Sequence, residues 1–542
     1  MPQTLLTLTL ELRPAHVDRV MDILGRWRSD EEQEPEMYSK LRTQVSGLHF
    51  MSATVFPDLH FDPILAIEAN TDHRPADFWQ QLSAAYGEVL QSLIRCCKRP
   101  AGRAGALFDA AVKPGAMAGV AAFLHHASSR PAVAHQGHRG LDRSRIDQEA
   151  ALFLDTQRLL AGRGIGAPAT ATELHAKLRA ALLPDYPWLS QPAPARIPMR
   201  ERLRDGLALA LALALLLFSL SLPGLLLSGL NTIVLMTGIV CAGTAAALGL
   251  RGGADQGIGE DARQANAEFT LMLQHAAPFL ATAAGLLAAS VLFVALYLSV
   301  GSLIAAIGFM AMRGETLGTA WPAAIRAMTL GLASLGATLP LLLLWLRRIE
   351  TADPAQDEPT LPPQGMASLE QAEDQIVQNH MASIVLIKPG ILRAVLLRAG
   401  LRGLGLLLRV LATDGYLGSM RTIHFAQWSI VGNGSRLLFF SNYDGSWESY
   451  LDDFVEKAHG GLSLAWGGCV GFPPCRFLVL NGASHGRQFK AWARRSMAPA
   501  AFWFSAYPAD TVNQIERQTA LANGLRRPTL TPQEAAVWVR TL

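Results

Sequence analysis

Two histidines stand in matching surroundings, His49 in GLHFMSATVF and His424 in TIHFAQWSIV. A strand histidine can act as a ligand or as an acid–base group, because its ring titrates near neutrality. It can equally be a hydrogen-bonded residue that only holds its strand. A second polar group, Asn442-Tyr443-Asp444-Gly445, falls where an apolar strand gives way to a helix. Asp444 joins the two histidines as a candidate catalytic group, with Asn442, Tyr443 and Trp428 as candidate substrate-binding residues. The same stretch also suits a plain turn, in which Gly445 takes positive φ and Ser446 or Asp444 caps the next helix.

Other reactive residues are less organised. His125, His126, His135 and His138 share one segment, and imidazole suits zinc, iron or copper. With no acidic or thiol partners at tight spacing, a solvated loop is the expectation and no metal site is assigned. Cys96, Cys97, Cys241, Cys469 and Cys475 form no paired CxxC array, and their odd number suits reduced thiols. Gly252–Ala262 lacks the GKS/T ending of a phosphate loop. A net charge of +3 gives no argument for nucleic acid.

The elements that must position these groups occur twice, in the same order. LELRPAHVDRVMDIL, from Leu10, resembles VLIKPGILRAVLLRA, from Val385: each is an apolar strand ended by a proline and followed by a helix. The separation of Pro14 from His49 equals that of Pro389 from His424. ILAIEANTDHRPADFWQQL then resembles RLLFFSNYDGSWESYLDDF, placing Asn70 and Asp72 opposite Asn442 and Asp444. The tails AHQGHRGLDRSRIDQEAAL and SAYPADTVNQIERQTAL correspond more loosely. The shared order of strand, helix, strand, strand, helix and a less regular strand predicts an α+β chain of two ferredoxin-like repeats. Their open sheet faces would cover each other as an intrachain dimeric α+β barrel.

Between the repeats lies a hydrophobic block. Only 17% of residues are charged, against roughly 25% in soluble domains. Leu207–Leu227, Thr232–Leu250, Ala277–Met312 and Leu332–Leu346 with its flanks are apolar runs near the length of about 20 residues that a membrane span requires. The third is long enough to be one extended helix or a span plus a surface helix broken near Gly301-Ser302. Four spans are expected, with five as the alternative. Arg200, Arg202 and Arg204 precede the block and Arg347 and Arg348 follow it, which puts both soluble regions in the cytoplasm of a multi-pass inner-membrane protein. His275 falls at a span boundary, where an interfacial role is expected. The helix after Pro389 carries Arg393, Arg398, Arg402 and Arg409 among leucines, suiting either a membrane surface or a sheet-packed helix with its arginines outward. The domain reading is 1–190 for the first repeat and its helical tail, 200–350 for the membrane block, 351–378 for an acidic, proline-rich linker and 379–542 for the second repeat.

IHFAQWSIV, RLLFFSNYDGSWESYLDDF, CVGFP and FWFSAYPADTVNQI resemble an uncharacterised bacterial family with repeated HFA, N-F/Y-DG and GYP elements. That family is in turn distantly similar to haem peroxidases of the dye-decolourising type. The resemblance covers most of Met381–Arg527 and, more weakly, Leu5–Leu160. It implies tandem ferredoxin-like domains, a haem cofactor and a membrane-anchored, peroxidase-like oxidoreductase acting on a lipophilic substrate. The chain departs from the peroxidase pattern at SNYDGS, which lacks the leading glycine of the GxxDG-type loop. The alternative is a non-catalytic scaffold that binds a lipid or a partner at the membrane. The expected partners are membrane lipids and an operon-encoded redox enzyme.

Overall fold

The computed structural model describes residues 3–33, 38–57, 62–162, 170–226, 237–245, 248, 283–352, 363–411 and 420–542. The run Thr232–Leu250 is described only over 237–245 and at 248. The stretch Gly252–Ala262, His275 and residues 353–362 of the linker lie outside the described residues, and the rest of the linker holds the helix Pro363–Ala372. The chain is α+β with antiparallel sheets. It divides into two units, one of Met1–Arg202, Glu358–Lys457 and Lys490–Leu542, the other of Leu203–Asp357 and Ala458–Phe489.

The first unit holds β1 (Thr4–Glu11), β2 (Leu48–Phe56), β3 (Ile64–Thr71), β4 (Ser128–Ser129), β5 (Val133–Gln136), β6 (Gln378–Leu386), β7 (Ile423–Val431) and β8 (Arg436–Asp444). Two short strands, β9 (Cys475–Arg476) and β10 (Leu480–Asn481), belong to the second unit, and β11 (Ala500–Ser505) returns to the first. Proline marks both early junctions. Pro14 opens a short turn after β1, and Pro75 starts the helix Pro75–Cys96 after β3, where its missing N–H has no helical partner to lose.

The two main sheets run β11-β2-β3-β1-β4 and β5-β7-β8-β6. Their central strands follow the same order, β2-β3-β1 and β7-β8-β6. The outer strand of each comes from the other half of the sequence, β11 lying beside β2 and β5 beside β7. The first tail pairs with its own β1 through Ser128 and Ser129, then joins β7 from Val133. The second tail touches its own β6 through Met497 and Ser383, then joins β2 from Ala500.

Strand periodicity explains how the faces are used. Leu65, Ile67 and Ala69 of β3 bury with Phe78, Trp79 and Leu82 of the helix Pro75–Cys96. Ile64 and Ala66 point the other way and bury with Ala382, Leu438 and Phe440 of the second sheet. Each large side chain buried there stabilises by roughly 1.5–3 kcal/mol. Polar contacts also cross between the sheets: Thr7 Oγ1 meets Ser429 Oγ at 2.8 Å, and Gln427 Nε2 donates to the Leu6 carbonyl at 3.3 Å. A separate core joins the tail helices Arg143–Ala161 and Val512–Arg526 through Leu152, Leu178, Leu521, Leu525 and Trp538. Leu397 and Leu401 of the helix Ile391–Leu411 are buried while Arg398, Arg402 and Arg409 are exposed, as expected of a sheet-packed helix.

In the second unit, the helix Ala283–Arg313 runs unbroken through Gly301-Ser302. Gly301 makes a close approach possible, since a Cβ there would lie 2.2 Å from Met328 Cε of the helix Leu317–Thr351. Two helices, Val294–Arg313 and Leu317–Thr351, are long and apolar enough to cross a membrane by length and composition. The described part of the first apolar run, Leu207–Leu226, lies in the helix Met199–Leu226.

Gly137 donates its N–H to the His424 carbonyl at 2.7 Å, seating the end of β5 on β7. A Cβ there would stand 2.3 Å from the Ile423 carbonyl oxygen, a backbone atom that cannot swing aside. Gly137→Ala is expected to cost about 2–3 kcal/mol and lower the thermal midpoint by several degrees. Gly25→Ala, in a helix with open space around it, should match or exceed the unmodified chain.

Candidate functional site

His49 and His424 occupy equivalent irregularities. The β2–β3 register passes from Leu48 opposite Thr71 to Phe50 opposite Asn70, which leaves His49 as an extra residue. The β7–β8 register passes from Ile423 opposite Tyr443 to Phe425 opposite Asn442, which leaves His424 extra. A bulge of this kind re-aims one side chain out of the strand's alternation. Both imidazoles are fully buried.

Each re-aimed ring meets an aspartate at the end of the neighbouring strand. His49 Nε2 lies 3.0 Å from Asp72 Oδ1, and His424 Nε2 lies 2.6 Å from Asp444 Oδ1. The other oxygen of each carboxylate accepts from a helix's first residue, Asp72 from the Arg143 N–H at 2.8 Å and Asp444 from the Val512 N–H at 2.7 Å. Negative charge is favoured there by the helix dipole. Those helices already have local caps, from Asp142 and Thr511. The aspartates are therefore additional, long-range anchors.

The Nδ1 atoms face the opposite half. His49 Nδ1 is 3.0 Å from the Tyr507 hydroxyl, and His424 Nδ1 is 2.7 Å from His138 Nε2. His138 and Tyr507 are counterparts, each the same distance ahead of the helix that binds the aspartate. Because a carboxylate only accepts, Nε2 of His49 and of His424 carries a proton, and in the neutral form of each ring Nδ1 is the acceptor. Two lines result: Tyr507 O–H to His49 to Asp72, and His138 N–H to His424 to Asp444. Burial together with the neighbouring His424 ring holds His138 well below the usual histidine range. Burial and the nearby Asp72 push the Tyr507 phenol well above its usual value. Phe50 and Phe425 interleave with these rings, His49 packing on Phe425 at 5.6 Å and Phe50 on His424 at 5.2 Å.

The candidate residues divide. Asp444 and His424 are brought together, and His49 forms the matching pair with Asp72. Asn442, Tyr443 and Trp428 do not share a pocket. Tyr443 stacks on Tyr450 at 3.9 Å and Trp428 packs on Phe439 at 4.6 Å, whereas Asn442 turns to the layer between the sheets. Gly445 does take positive φ, 76°, and Ser446 Oγ accepts from the Ser449 N–H, but Asp444 serves the distant helix. His125 and His126 are exposed at a helix end, whereas His135 and His138 are buried, so the four do not cluster. Cys96 and Cys97 are buried thiols bonded to helical carbonyls.

A haem ligand needs an imidazole nitrogen lone pair directed at iron. His49 and His424 commit both nitrogens to protein partners and do not fit that role. Among the described residues no group of three His, Cys, Asp or Glu is placed to hold a metal ion. Comparison with protein-family models, with characterised proteins and with solved structures finds no match to this chain.

Asn442 leads to a cluster the sequence reading missed. Its Nδ2 donates to Glu68 Oε1 at 3.0 Å, as does Asn70 Nδ2 at 2.8 Å, and Ser52 Oγ donates to Glu68 Oε2 at 3.4 Å. Burial pushes the Glu68 carboxyl up to about 7, against the pull of those three donors. The signal was present in the phase of β3, where Ile64, Ala66 and Glu68 alternate on one inward face. Tyr507 and His138 carried no comparable signal, since their partners are remote in sequence.

Glu68 binds its proton more tightly in the folded chain, so its contribution to stability falls as pH rises from about 4.5 to about 7. His135 and His380, both lowered to about 4 by burial, act oppositely: their contribution is lost as pH falls below about 6.5. The Glu68 effect is isolated by comparison with Glu68→Gln. The stability of this variant relative to the unmodified chain should rise by up to about 3 kcal/mol between pH 4.5 and 7, then level off. A pH-independent difference in thermal midpoint would contradict it.

Proposed function

We propose that this chain is a membrane-held binding or scaffold protein, with His49 and His424 as internal locks rather than haem ligands or catalysts. In this reading the soluble body is two ferredoxin-like repeats, closed sheet to sheet into an intrachain dimeric α+β barrel by their exchanged tail strands. The observation that carries it is the complete hydrogen bonding of both histidines, repeated in each half and sealed from solvent. A group that must meet substrate leaves at least one face or one lone pair free, and neither ring does.

The membrane part rests on exposed apolar surface. Along the helix Ala283–Arg313, Leu287, Val291, Leu292, Leu296, Leu303, Ile304 and Ile307 are all more than half exposed. Leu203, Leu207 and Leu211 are similarly exposed on the helix Met199–Leu226. Surface of this extent suits lipid rather than water. The chain leaves the first unit after Arg202 and re-enters it at Glu358, so an insertion that crosses a membrane crosses it an even number of times. The flanking arginines favour an inner membrane with the soluble body in the cytoplasm. The bound species is then a lipid or a partner enzyme.

A second reading, as an oxidoreductase, is favoured by one contact. Tyr507 meets a histidine that itself holds a carboxylate, an arrangement able to take the phenol's proton if a bound one-electron oxidant accepted an electron from the ring.

Membranes from expressing cells are expected to retain the chain after alkaline carbonate washing, and release into the supernatant would overturn the membrane assignment. Detergent-purified protein made with ample haem is expected to lack a stoichiometric Soret band. Such a band, abolished by His49→Ala or His424→Ala, would restore the haem reading. A tyrosyl radical signal that is lost in Tyr507→Phe would favour the oxidoreductase.

A further inference from the structure

The layer between the sheets contains a buried polar cluster with no part in the histidine lines. Glu68 sits at its centre, fully buried, with Ser52, Asn70 and Asn442 donating to it. The carboxylate fixes how both amides are turned: each presents Nδ2 to Glu68 and Oδ1 away from it. Asn442 Oδ1 is satisfied twice, by Trp503 Nε1 at 2.9 Å and by His380 Nδ1 at 3.0 Å. Asn70 Oδ1 has no hydrogen-bond partner among the described residues, and neither has His380 Nε2. Since His380 Nδ1 bears the proton donated to Asn442, Nε2 is an acceptor.

All that the cluster lacks is therefore of one kind. Two buried acceptors want donors, and a buried carboxylate wants positive charge. No Lys or Arg pairs with Glu68 among the described residues. The nearest ring, His380, is 3.7 Å from Oε2, and burial lowers it to about 4, keeping it neutral at physiological pH. Leaving such groups unmatched is costly, about 1–3 kcal/mol for each neutral group and more for a charge. Aromatic faces stand alongside: His380 is stacked between Phe440 at 5.8 Å and Trp503 at 6.1 Å. Trp503, on β11, is half-buried, whereas Glu68, Ser52, Asn70 and Asn442 are enclosed.

We propose that this cluster is a binding site for a small primary ammonium group, whose N–H donors reach Asn70 Oδ1 and His380 Nε2 and whose charge is held by Glu68. A hydroxyl alone supplies too few donors and no charge. A metal cation would meet one carboxylate, one imidazole and one amide oxygen, fewer charged ligands than a hard cation site gathers. A quaternary ammonium would bring charge but no N–H. Among the described residues the titratable groups in the cluster are Glu68 and His380, so binding should strengthen as pH rises from 6 to 8, the interval in which Glu68 ionises.

The proposal deepens the binding reading above, and its test is separate from membrane retention and from the Soret measurement. Full-length protein in detergent is titrated with ethylammonium, with tetramethylammonium at equal ionic strength as the comparison, by calorimetry and thermal midpoint. Saturable binding in the millimolar range or tighter is expected for ethylammonium, and at least about tenfold weaker binding for tetramethylammonium. Glu68→Gln should reduce ethylammonium binding at least about tenfold, roughly 1.4 kcal/mol. His380→Phe, which keeps the aromatic stack, provides a second variant and should also weaken it. Absence of saturable ethylammonium binding, equal binding of the two cations, or unchanged binding in folded Glu68→Gln would each overturn the assignment.

Discussion

Each half of the first unit lends its tail strand to the other half's sheet. β5 supplies the edge beside β7, β11 supplies the edge beside β2, and only a few residues of each tail remain on their own sheet. This exchange decides much else. It covers two sheet edges that would otherwise present unpaired N–H and C=O groups. It carries His138 to His424 and Tyr507 to His49, so neither line can form within one half. It also requires both halves to be present together although a long apolar insertion separates them in sequence.

The histidine lines read most simply as the polar counterpart of that exchange. A buried imidazole nitrogen without a partner is destabilising, and a buried carboxylate requires strong donors; His49 and His424 engage both nitrogens, whereas His138 Nδ1 has no partner among the described residues. Here each aspartate obtains an imidazole N–H and a helix amide, and each imidazole obtains a donor from the opposite tail. Bulge, carboxylate, helix start and tail are thereby fixed relative to one another. The two copies differ at one place, a phenol in one line and an imidazole in the other. Both groups donate a single hydrogen bond to Nδ1, which explains why the geometry tolerates the change. The Glu68 cluster is different in kind, since it has no copy: the position equivalent to Glu68 is Phe440, among apolar neighbours.

Much of this was legible in the sequence. The paired histidines, the aspartates that follow them and the strand and helix order all stood out, because local alternation and Pro, Gly, Asn and Asp punctuation act over a few residues. Of the two residues offered as caps for the next helix, Ser446 takes the role, and Asp444 is used elsewhere for a tertiary reason: its carboxylate finds a helix start far along the chain. Tyr443 and Trp428 were named with Asn442 as candidate substrate-binding residues, but strand alternation and pairing send them to the opposite face. The bulges were invisible, since one extra residue in a ladder leaves no composition signal. The long helix through Gly301-Ser302 was open in the sequence and is settled by packing, where the missing Cβ admits Met328.

The central claim, that the halves are locked through buried lines crossing between them, is tested most directly by a double-mutant cycle on His138 and His424 in the full-length chain. His138→Phe, His424→Phe and the double variant are compared in unfolding stability. Coupling of about 1–3 kcal/mol between the two sites is the expected result, because either single change leaves the other ring and Asp444 with a broken line. Strictly additive losses would contradict the account.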